Sequence, residues 1–100
     1  MTNQEIITAF TNYLESERHY SEHTLTSYLT DIQSLIHFLE HEQFGSLFTV
    51  SPRIARFYTA TLHEHYSPKS IARKTSSIRS LYAFLVQDEI VEENPFVGIE

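Results

Sequence analysis

Residues 69–86 combine basic and hydroxyl side chains in a pattern suited to contact with an anionic partner. Drawn as a helix at about 100° per residue, this segment has an apolar side and a basic, serine-rich side. The polar side carries Lys69, Arg73, Ser76, Ser77 and Ser80, with Lys74 and Arg79 on its two flanks. Cations neutralise phosphate, and small hydroxyls let a nucleic-acid backbone approach and accept hydrogen bonds. Because no acid occurs between residues 69 and 86, the pattern favours a nucleic-acid contact over a merely solvated helix face.

A second hydroxyl-rich segment starts at Ser21, where Glu22 is the only acid before Asp31. Ser21 is predicted to be a helix N-cap, and helix N-termini can also bind phosphate through their free N–H groups. Thr24 and Ser27 follow in the first turns of that helix. They are predicted either to contact phosphate or to be ordinary solvated residues.

The charges of the chain are segregated. The whole sequence has a net charge of −6, which by itself disfavours nucleic acid as a partner. Six of the seven basic residues nevertheless lie between Arg53 and Arg79, where Glu64 is the only acid, so this window carries +5 and the rest −11. The whole-chain charge is therefore a poor guide to what the basic segment binds.

The elements that must position these side chains are helices. Only two glycines occur in 100 residues, and apolar residues recur every three or four positions rather than alternating. The sequence predicts an all-α fold, a compact four-helix bundle with a C-terminal exit segment. The predicted helices cover residues 3–18, 21–41, 52–65 and 68–87. The predicted core consists of Phe10, Leu14, Leu29, Ile32, Ile36, Phe57, Ile78 and Leu85.

The composition indicates one small domain, since 41% of the residues are hydrophobic and cysteine is absent. Asn94-Pro95 ends any helix, so we expect a helical domain over 1–93, followed at 94–100 by the start of a linker. No run of 18 apolar residues and no basic stretch followed by an apolar one occurs. We therefore expect a cytoplasmic protein without a membrane partner.

Catalytic and metal chemistry are not expected from these residues. His37 and His41 are spaced to share a helix face, but no third ligand follows at helical spacing, so no metal and no cofactor is predicted. Most of the six tyrosines fall in apolar stripes, without the Arg and His neighbours that phosphoryl transfer needs. No catalytic residue is predicted, and this segment alone should neither cleave nor join DNA.

Three blocks of sequence carry a family resemblance: residues 13–40, which begin YLESERHYSEHTLTSYL, residues 67–82, and Glu93-Asn94-Pro95. In combination and spacing they resemble the N-terminal core-binding, SAM-like domain of Xer-type tyrosine recombinases of the phage integrase family. Tyr20-Ser21 and residues 71–74 look more like the XerC branch than the XerD branch. The resemblance covers nearly the whole chain.

The resemblance implies a domain that, together with a larger catalytic domain absent from this sequence, clamps double-stranded DNA at a recombination site. It also implies contact with a related recombinase protomer in a tetrameric synapse. The second and fourth helices would lie against the major groove. The DNA-binding positions implied in this way are Thr24, Ser27, Lys69, Ser70, Arg73, Lys74, Ser77 and Arg79. Thr75 departs from the pattern, because such sequences usually have Leu there, and we expect it to leave a polar atom near the core.

Two other functions stay open. The first is a helical protein-interaction module without DNA binding, in which the acidic first helix and the exit segment dock a partner. The second is a free-standing transcriptional regulator, which is disfavoured because the second and fourth helices lack the short turn of a helix-turn-helix pair. Steep weakening of binding by salt would distinguish a phosphate contact from an apolar docking face.

Overall fold

The computed structural model describes residues 1–99 and contains four α-helices. These are α1 (Asn3–Ser16), α2 (Glu22–Glu42), α3 (Pro52–His63) and α4 (Pro68–Gln87), with a short 3-10 helix at Leu47–Thr49. Residues 1–99 contain no strand, so the all-α prediction is confirmed. The predicted bounds agree with the observed ones to within two residues at each end, and the 3-10 helix was not predicted.

Each helix begins at a hydroxyl N-cap. The side chains of Ser21, Ser51 and Ser67 accept hydrogen bonds from backbone N–H groups three residues later, and Pro52 and Pro68 occupy the first positions of α3 and α4. At α1, the Thr2 side chain accepts a hydrogen bond from the Glu5 backbone N–H, and the Glu5 carboxylate accepts one from the Thr2 backbone N–H. The two bonds form a capping box. These caps satisfy N–H groups that have no partner within the helix. The predicted starts of α3 and α4 are therefore correct to the residue.

Three residues outside the helices hold a left-handed backbone conformation without being glycine: His19, Gln43 and Glu89, with φ of 54°, 60° and 58°. Gln43 ends α2, where its N–H donates to the carbonyls of Glu40 and Leu39. A residue in this conformation reverses the chain and stops helix propagation. The chain therefore turns at positions that glycine does not occupy, and the glycines of the sequence do not predict these turns.

The chain divides into two units, and the first covers Met1–Phe48. Here α1 packs against α2 through buried apolar side chains. These are Ile6, Ile7, Phe10 and Leu14 of α1 and Ile32, Leu35, Ile36 and Leu39 of α2. Aromatic contacts join the two helices, with the Phe10 and Tyr28 ring centroids 6.1 Å apart. The Asn3 side chain also accepts a hydrogen bond from the backbone N–H of Leu47 at 2.9 Å.

The second unit runs from Thr49 to the C-terminal segment, and in it α3 packs against α4. Its buried apolar residues include Ala55, Tyr58 and Leu62 of α3 and Ile71, Ile78, Leu81, Tyr82 and Leu85 of α4. Phe96 is also fully buried, although it lies beyond the last helix. The α4 core stripe therefore positions the opposite side of that helix toward solvent.

The predicted core is confirmed at six of eight positions: Phe10, Leu14, Ile32, Ile36, Ile78 and Leu85 are buried. Leu29 is only half-buried. Phe57 was placed wrongly, because it is 47% exposed. The buried face of α3 runs through Ala55, Tyr58, Thr59 and Leu62, which puts Phe57 on the other side of the helix.

Thr75 is buried in α4 at 3% exposure, and its Oγ1 has no hydrogen-bond partner among residues 1–99. The expectation of a polar atom near the core at this position is therefore confirmed. A buried hydroxyl without a partner costs free energy of folding.

Among residues 1–99, no helix combines the length and apolar character needed to cross a membrane.

Candidate nucleic-acid interface

The first turn of α4 presents polar groups at a well-defined helix start. The Ser67 side chain accepts the Ser70 backbone N–H at 3.3 Å, and the two serine hydroxyls lie 3.2 Å apart. Ser70 is consequently half-buried and engaged with the cap, whereas Lys69 beside it is exposed. Lys69 is thus the cation nearest the α4 N-terminus, where the helix dipole also favours an anion.

An exposed strip continues along α4, and we call it the outer face. It comprises Lys69, Ala72, Arg73, Ser76, Ser80 and Ala83. All of these are exposed except Ser80, which is half-buried. They recur at intervals of three or four residues, opposite the buried stripe through Ile71 and Ile78. The outer face contains two cations, small side chains and no acid.

Ser77 does not lie on the outer face, so the helical drawing placed it wrongly. Only 6% of its surface is exposed, and its hydroxyl donates to the Arg73 backbone carbonyl at 3.2 Å. Lys74, Leu81 and Phe84, which lie on the same side of α4, are also buried, so the buried face of the helix extends to position 77. Any contact of Ser77 with DNA stays a prediction.

Lys74 lies on one flank of α4, and it too is only 6% exposed. Its Nζ lies 4.8 Å from the centroid of the Tyr66 ring, in the turn that precedes α4. Cations bind the faces of aromatic rings electrostatically within about 6 Å. Lys74 is therefore a buried flank cation that contacts its own unit, and its contact with DNA stays a prediction.

Arg79 lies on the opposite flank and contacts the C-terminal segment. Its Nε donates to the Phe96 carbonyl at 3.4 Å and its Nη2 to the Ile99 carbonyl at 2.5 Å. The Asn94 side chain in turn donates to the Arg79 backbone carbonyl at 3.1 Å. Four cations of α4 are thus divided into two exposed ones and two that contact their own unit.

The first turns of α2 hold the two remaining predicted contacts. The Thr24 N–H donates to the Ser21 hydroxyl at 3.3 Å, and the two hydroxyl oxygens lie 3.0 Å apart. Thr24 and Ser27 are both half-buried and lie three residues apart, on one side of the helix. Thr24 and Ser27 belong to the first unit, and Lys69, Ser70 and Arg73 to the second. That all five face one DNA duplex stays a prediction.

No function was predicted for Arg53 and Arg56, the basic residues of α3, and both are exposed. Phe57 lies beside them, and an open cleft of about 350 Å³ adjoins. The cleft is lined by Arg56, Thr59, Ala60, His63, Gly98 and Ile99. The position of both arginines inside the +5 window was the available signal.

Tyr82 carries a buried titratable group of the second unit. Burial raises the pKa of the Tyr82 phenol well above its ordinary value, so this hydroxyl stays protonated at neutral pH. In the part of the chain that the structure describes, no three His, Cys, Asp or Glu side chains are grouped so that they could hold a metal ion. His41 instead pairs with its neighbour Glu42, with Nδ1 and Oε2 3.0 Å apart.

Comparison with known proteins gives a family and close relatives. Residues 7–89 match the phage integrase N-terminal SAM-like domain. The chain is 46% identical to the tyrosine recombinase XerC of Anoxybacillus flavithermus over 88 residues, 87% of this chain and 29% of that protein. It is 36% identical to XerC of Halalkalibacterium halodurans over 95% of this chain and 32% of the relative. XerC of Listeria innocua is 40% identical over 90% of this chain and 30% of the relative.

The match extends over most of this chain but only part of its relatives. The chain spans about a third of the length of the curated XerC proteins it matches. No solved structure matches it significantly. The all-α fold of residues 1–99 is consistent with the match to this family. The chain belongs to the phage integrase N-terminal SAM-like domain family, and its relatives are XerC tyrosine recombinases.

Proposed function

We propose that this chain is the DNA-binding part of a site-specific tyrosine recombinase and that it grips duplex DNA with α2 and α4. The observation that carries the proposal is the acid-free outer face of α4, from which Lys69 and Arg73 project into solvent. Binding to a phosphate backbone requires cations that can lose bound water and approach the phosphate oxygens closely. Small neighbouring side chains permit that approach. The relatives named tyrosine recombinase XerC support the same function.

The exposed cations and the half-buried hydroxyls have different roles in this proposal. Lys69 and Arg73 supply electrostatic binding that does not depend on base sequence. Ser70, Thr24 and Ser27 donate or accept single hydrogen bonds at phosphate or base edges. These weaker contacts orient the domain on the duplex rather than supplying most of its affinity.

Catalysis is assigned to the rest of the recombinase, outside this chain. Tyr82 is buried in the second unit, and its raised pKa makes it a poor nucleophile. We expect no covalent adduct when the chain is incubated with a nicked duplex that traps phosphotyrosine intermediates. A tyrosine-linked adduct on denaturing gels would refute this assignment.

The partners proposed for the whole protein are duplex DNA, its own catalytic domain and a related protomer in a tetrameric synapse. Its location is proposed to be the cytoplasm, where chromosomal DNA is accessible. The division into a domain over 1–93 and a following segment stays a prediction. The bonds from Arg79 to residues 96 and 99 support a boundary later than residue 93.

The experiment that tests the proposal is a salt titration of DNA binding. The protein and its Lys69→Ala and Arg73→Ala variants are titrated against a labelled mixed-sequence duplex at about 50 to 200 mM salt. Each variant should bind more weakly, and the slope of log affinity against log salt should fall by about one for each lost phosphate contact.

Glu15→Ala is the matched control, because Glu15 is an exposed acid in the last turn of α1. Glu5 is unsuitable, since its carboxylate accepts the Thr2 backbone N–H at 2.8 Å in the capping box. That hydrogen bond lowers the pKa of Glu5, so its removal would disturb the helix start. Parent-like affinity and slope in both cation variants would refute the α4 contact.

A protein-interaction module is the second candidate, and the exposed Phe57 beside Arg53 and Arg56 favours it. An apolar side chain bordered by cations suits a partner with an acidic rim and an apolar centre. Such binding would depend weakly on salt. Salt-insensitive partner binding that is lost in Phe57→Ser, without DNA binding by the parent, would favour this candidate.

A further inference from the structure

The segment after α4 is folded onto that helix through Asn94. Its side-chain nitrogen donates to the Arg79 carbonyl at 3.1 Å, while its side-chain oxygen accepts the Phe96 N–H at 3.0 Å. The Asn94 backbone carbonyl also accepts the Val97 N–H at 3.3 Å. One side chain therefore links the helix backbone to a turn that it also caps.

The Arg79 guanidinium holds the same turn from the other side. It donates to the carbonyls of Phe96 and Ile99, and the Ile99 N–H itself donates to the Phe96 carbonyl at 3.4 Å. The planar guanidinium can reach two acceptors at once because its N–H groups form a rigid fork, which a lysine ammonium lacks. The Arg79 side chain thus binds the backbone of the C-terminal segment, while the Asn94 side chain binds the Arg79 backbone.

Phe96 anchors the segment in the core of the second unit. It is fully buried, and its ring stacks on Tyr82 with centroids 5.7 Å apart and an interplanar angle of 24°. Tyr82 lies one turn beyond Arg79 on α4, so the polar and apolar contacts hold the same stretch of chain. Hydrogen bonds and aromatic burial at one place make local opening costly.

From these contacts we infer that Arg79, Asn94 and Phe96 form a clasp, in which Arg79 is a positioning residue for the C-terminal segment rather than a contact to DNA phosphate. The inference goes beyond the proposed function, because it concerns how the chain leaves α4 and does not require DNA. The clasp couples the motion of residues 94–99 to that of α4. Any displacement of the helix is therefore transmitted to the chain that follows Phe96.

Amide hydrogen exchange followed by NMR tests the clasp. The parent is compared with Arg79→Lys, Arg79→Ala and Asn94→Ala, and the N–H groups of Phe96, Val97 and Ile99 are followed. All three variants should exchange about tenfold faster or more at these amides, because each removes one side of the clasp. Arg79→Lys is decisive, since it keeps the charge and loses only the fork.

Two controls separate local opening from misfolding. Arg73→Ala removes an exposed arginine from the same helix and should leave exchange at residues 96–99 unchanged. Amides in the middle of α4 should exchange as in the parent in every variant, which reports that the second unit is folded. Asn94→Ala lies outside the helices and keeps the test valid if a substitution at Arg79 unfolds the second unit.

Parent-like exchange in Arg79→Lys and Asn94→Ala would overturn the clasp. If Arg79→Ala then also lowered the salt slope of DNA binding by about one, Arg79 would be a phosphate contact instead. The clasp predicts the opposite, an unchanged salt slope in Arg79→Ala and faster exchange in all three variants. Complete absence of DNA binding would refute the proposed function and leave the exchange result intact, so the two failures are distinguishable.

Discussion

The outer face of α4 and its two flanks carry the same charge in different surroundings. Lys69 and Arg73 extend from the outer face into solvent, whereas Lys74 lies over the Tyr66 ring and Arg79 binds two backbone carbonyls. Four cations on one helix therefore divide into two pairs. The charge available to a partner is therefore set by the groups around each cation, and not by the number of basic residues.

The physical reason for the division is the reach of long side chains. A lysine or arginine at the edge of a buried stripe can lay its methylene groups along apolar surface and place its head on a nearby acceptor. A cation in the middle of an exposed strip lies further from the buried stripe and stays exposed to solvent. The flanks are therefore part of the fold, and the outer face is accessible to a partner.

The strongest test of this comparison is the removal of the apolar anchor on the Arg79 flank. Phe96→Ala should reduce the free energy of unfolding by about 3 kcal/mol, because it deletes a fully buried ring that stacks on Tyr82. Urea denaturation followed by circular dichroism measures the change. Val97→Ala, at an exposed neighbouring position, should change it by less than about 0.5 kcal/mol. Equal effects of the two substitutions would contradict the anchor.

The double variant Lys69→Ala/Arg73→Ala should show the opposite behaviour. Its affinity for duplex DNA should fall about tenfold or more at low salt, with a salt slope lower by about two, because two phosphate contacts are lost. Its unfolding free energy should stay within about 0.5 kcal/mol of the parent, since both side chains are exposed. A large loss of stability would show that the outer face also belongs to the fold.

Thr75 tests how well the buried side of α4 is packed. Thr75→Val keeps the shape of the side chain and removes an Oγ1 that has no hydrogen-bond partner among residues 1–99. Because that oxygen is desolvated without compensation, the variant should be more stable by about 1 kcal/mol. A thermal melt compares the two proteins. A less stable Thr75→Val variant would contradict this prediction and would indicate that the Thr75 hydroxyl forms a hydrogen bond in the parent protein in solution.

The smallest expected effect concerns the Lys74 flank. Tyr66→Leu removes the aromatic face under Nζ and should cost about 0.5 to 1 kcal/mol of stability. The salt slope of DNA binding should not change, because Lys74 does not lie on the outer face. A lower slope in Tyr66→Leu would indicate that this flank also contacts DNA. Chemical denaturation measures the stability of Tyr66→Leu, and the salt titration measures its DNA binding.

Most of the fold could be predicted because its signals are local. Ser-Pro at 51–52 and at 67–68 marks two helix starts, and apolar periodicity fixes the buried faces of α2 and α4. Phe57 was assigned wrongly because Ile54, Phe57 and Thr61 also recur at intervals of three and four, so the periodicity of α3 allows a second stripe beside the buried one. The turn at Gln43 was not predicted, because a left-handed glutamine carries no sequence signal comparable to glycine.

The candidate site could be predicted only in part. The outer-face cations followed from helical spacing alone, because exposure there depends on α4 itself. The engagement of Arg79 depends on Phe96 and Ile99, which lie 17 and 20 residues further along the chain. A helical drawing contains no such contacts, so it could not distinguish a cation that binds a partner from one that holds its own backbone.

The pairing of each helix with its sequence neighbour has a consequence for folding kinetics. Helices α1 and α2 are joined by residues 17–21, and α3 and α4 by residues 64–67. Short connections lose little entropy on closure, and proteins dominated by such local contacts fold on the order of microseconds to milliseconds. Each helical hairpin can therefore form independently and early. A partly folded chain with apolar faces exposed has correspondingly little time to aggregate.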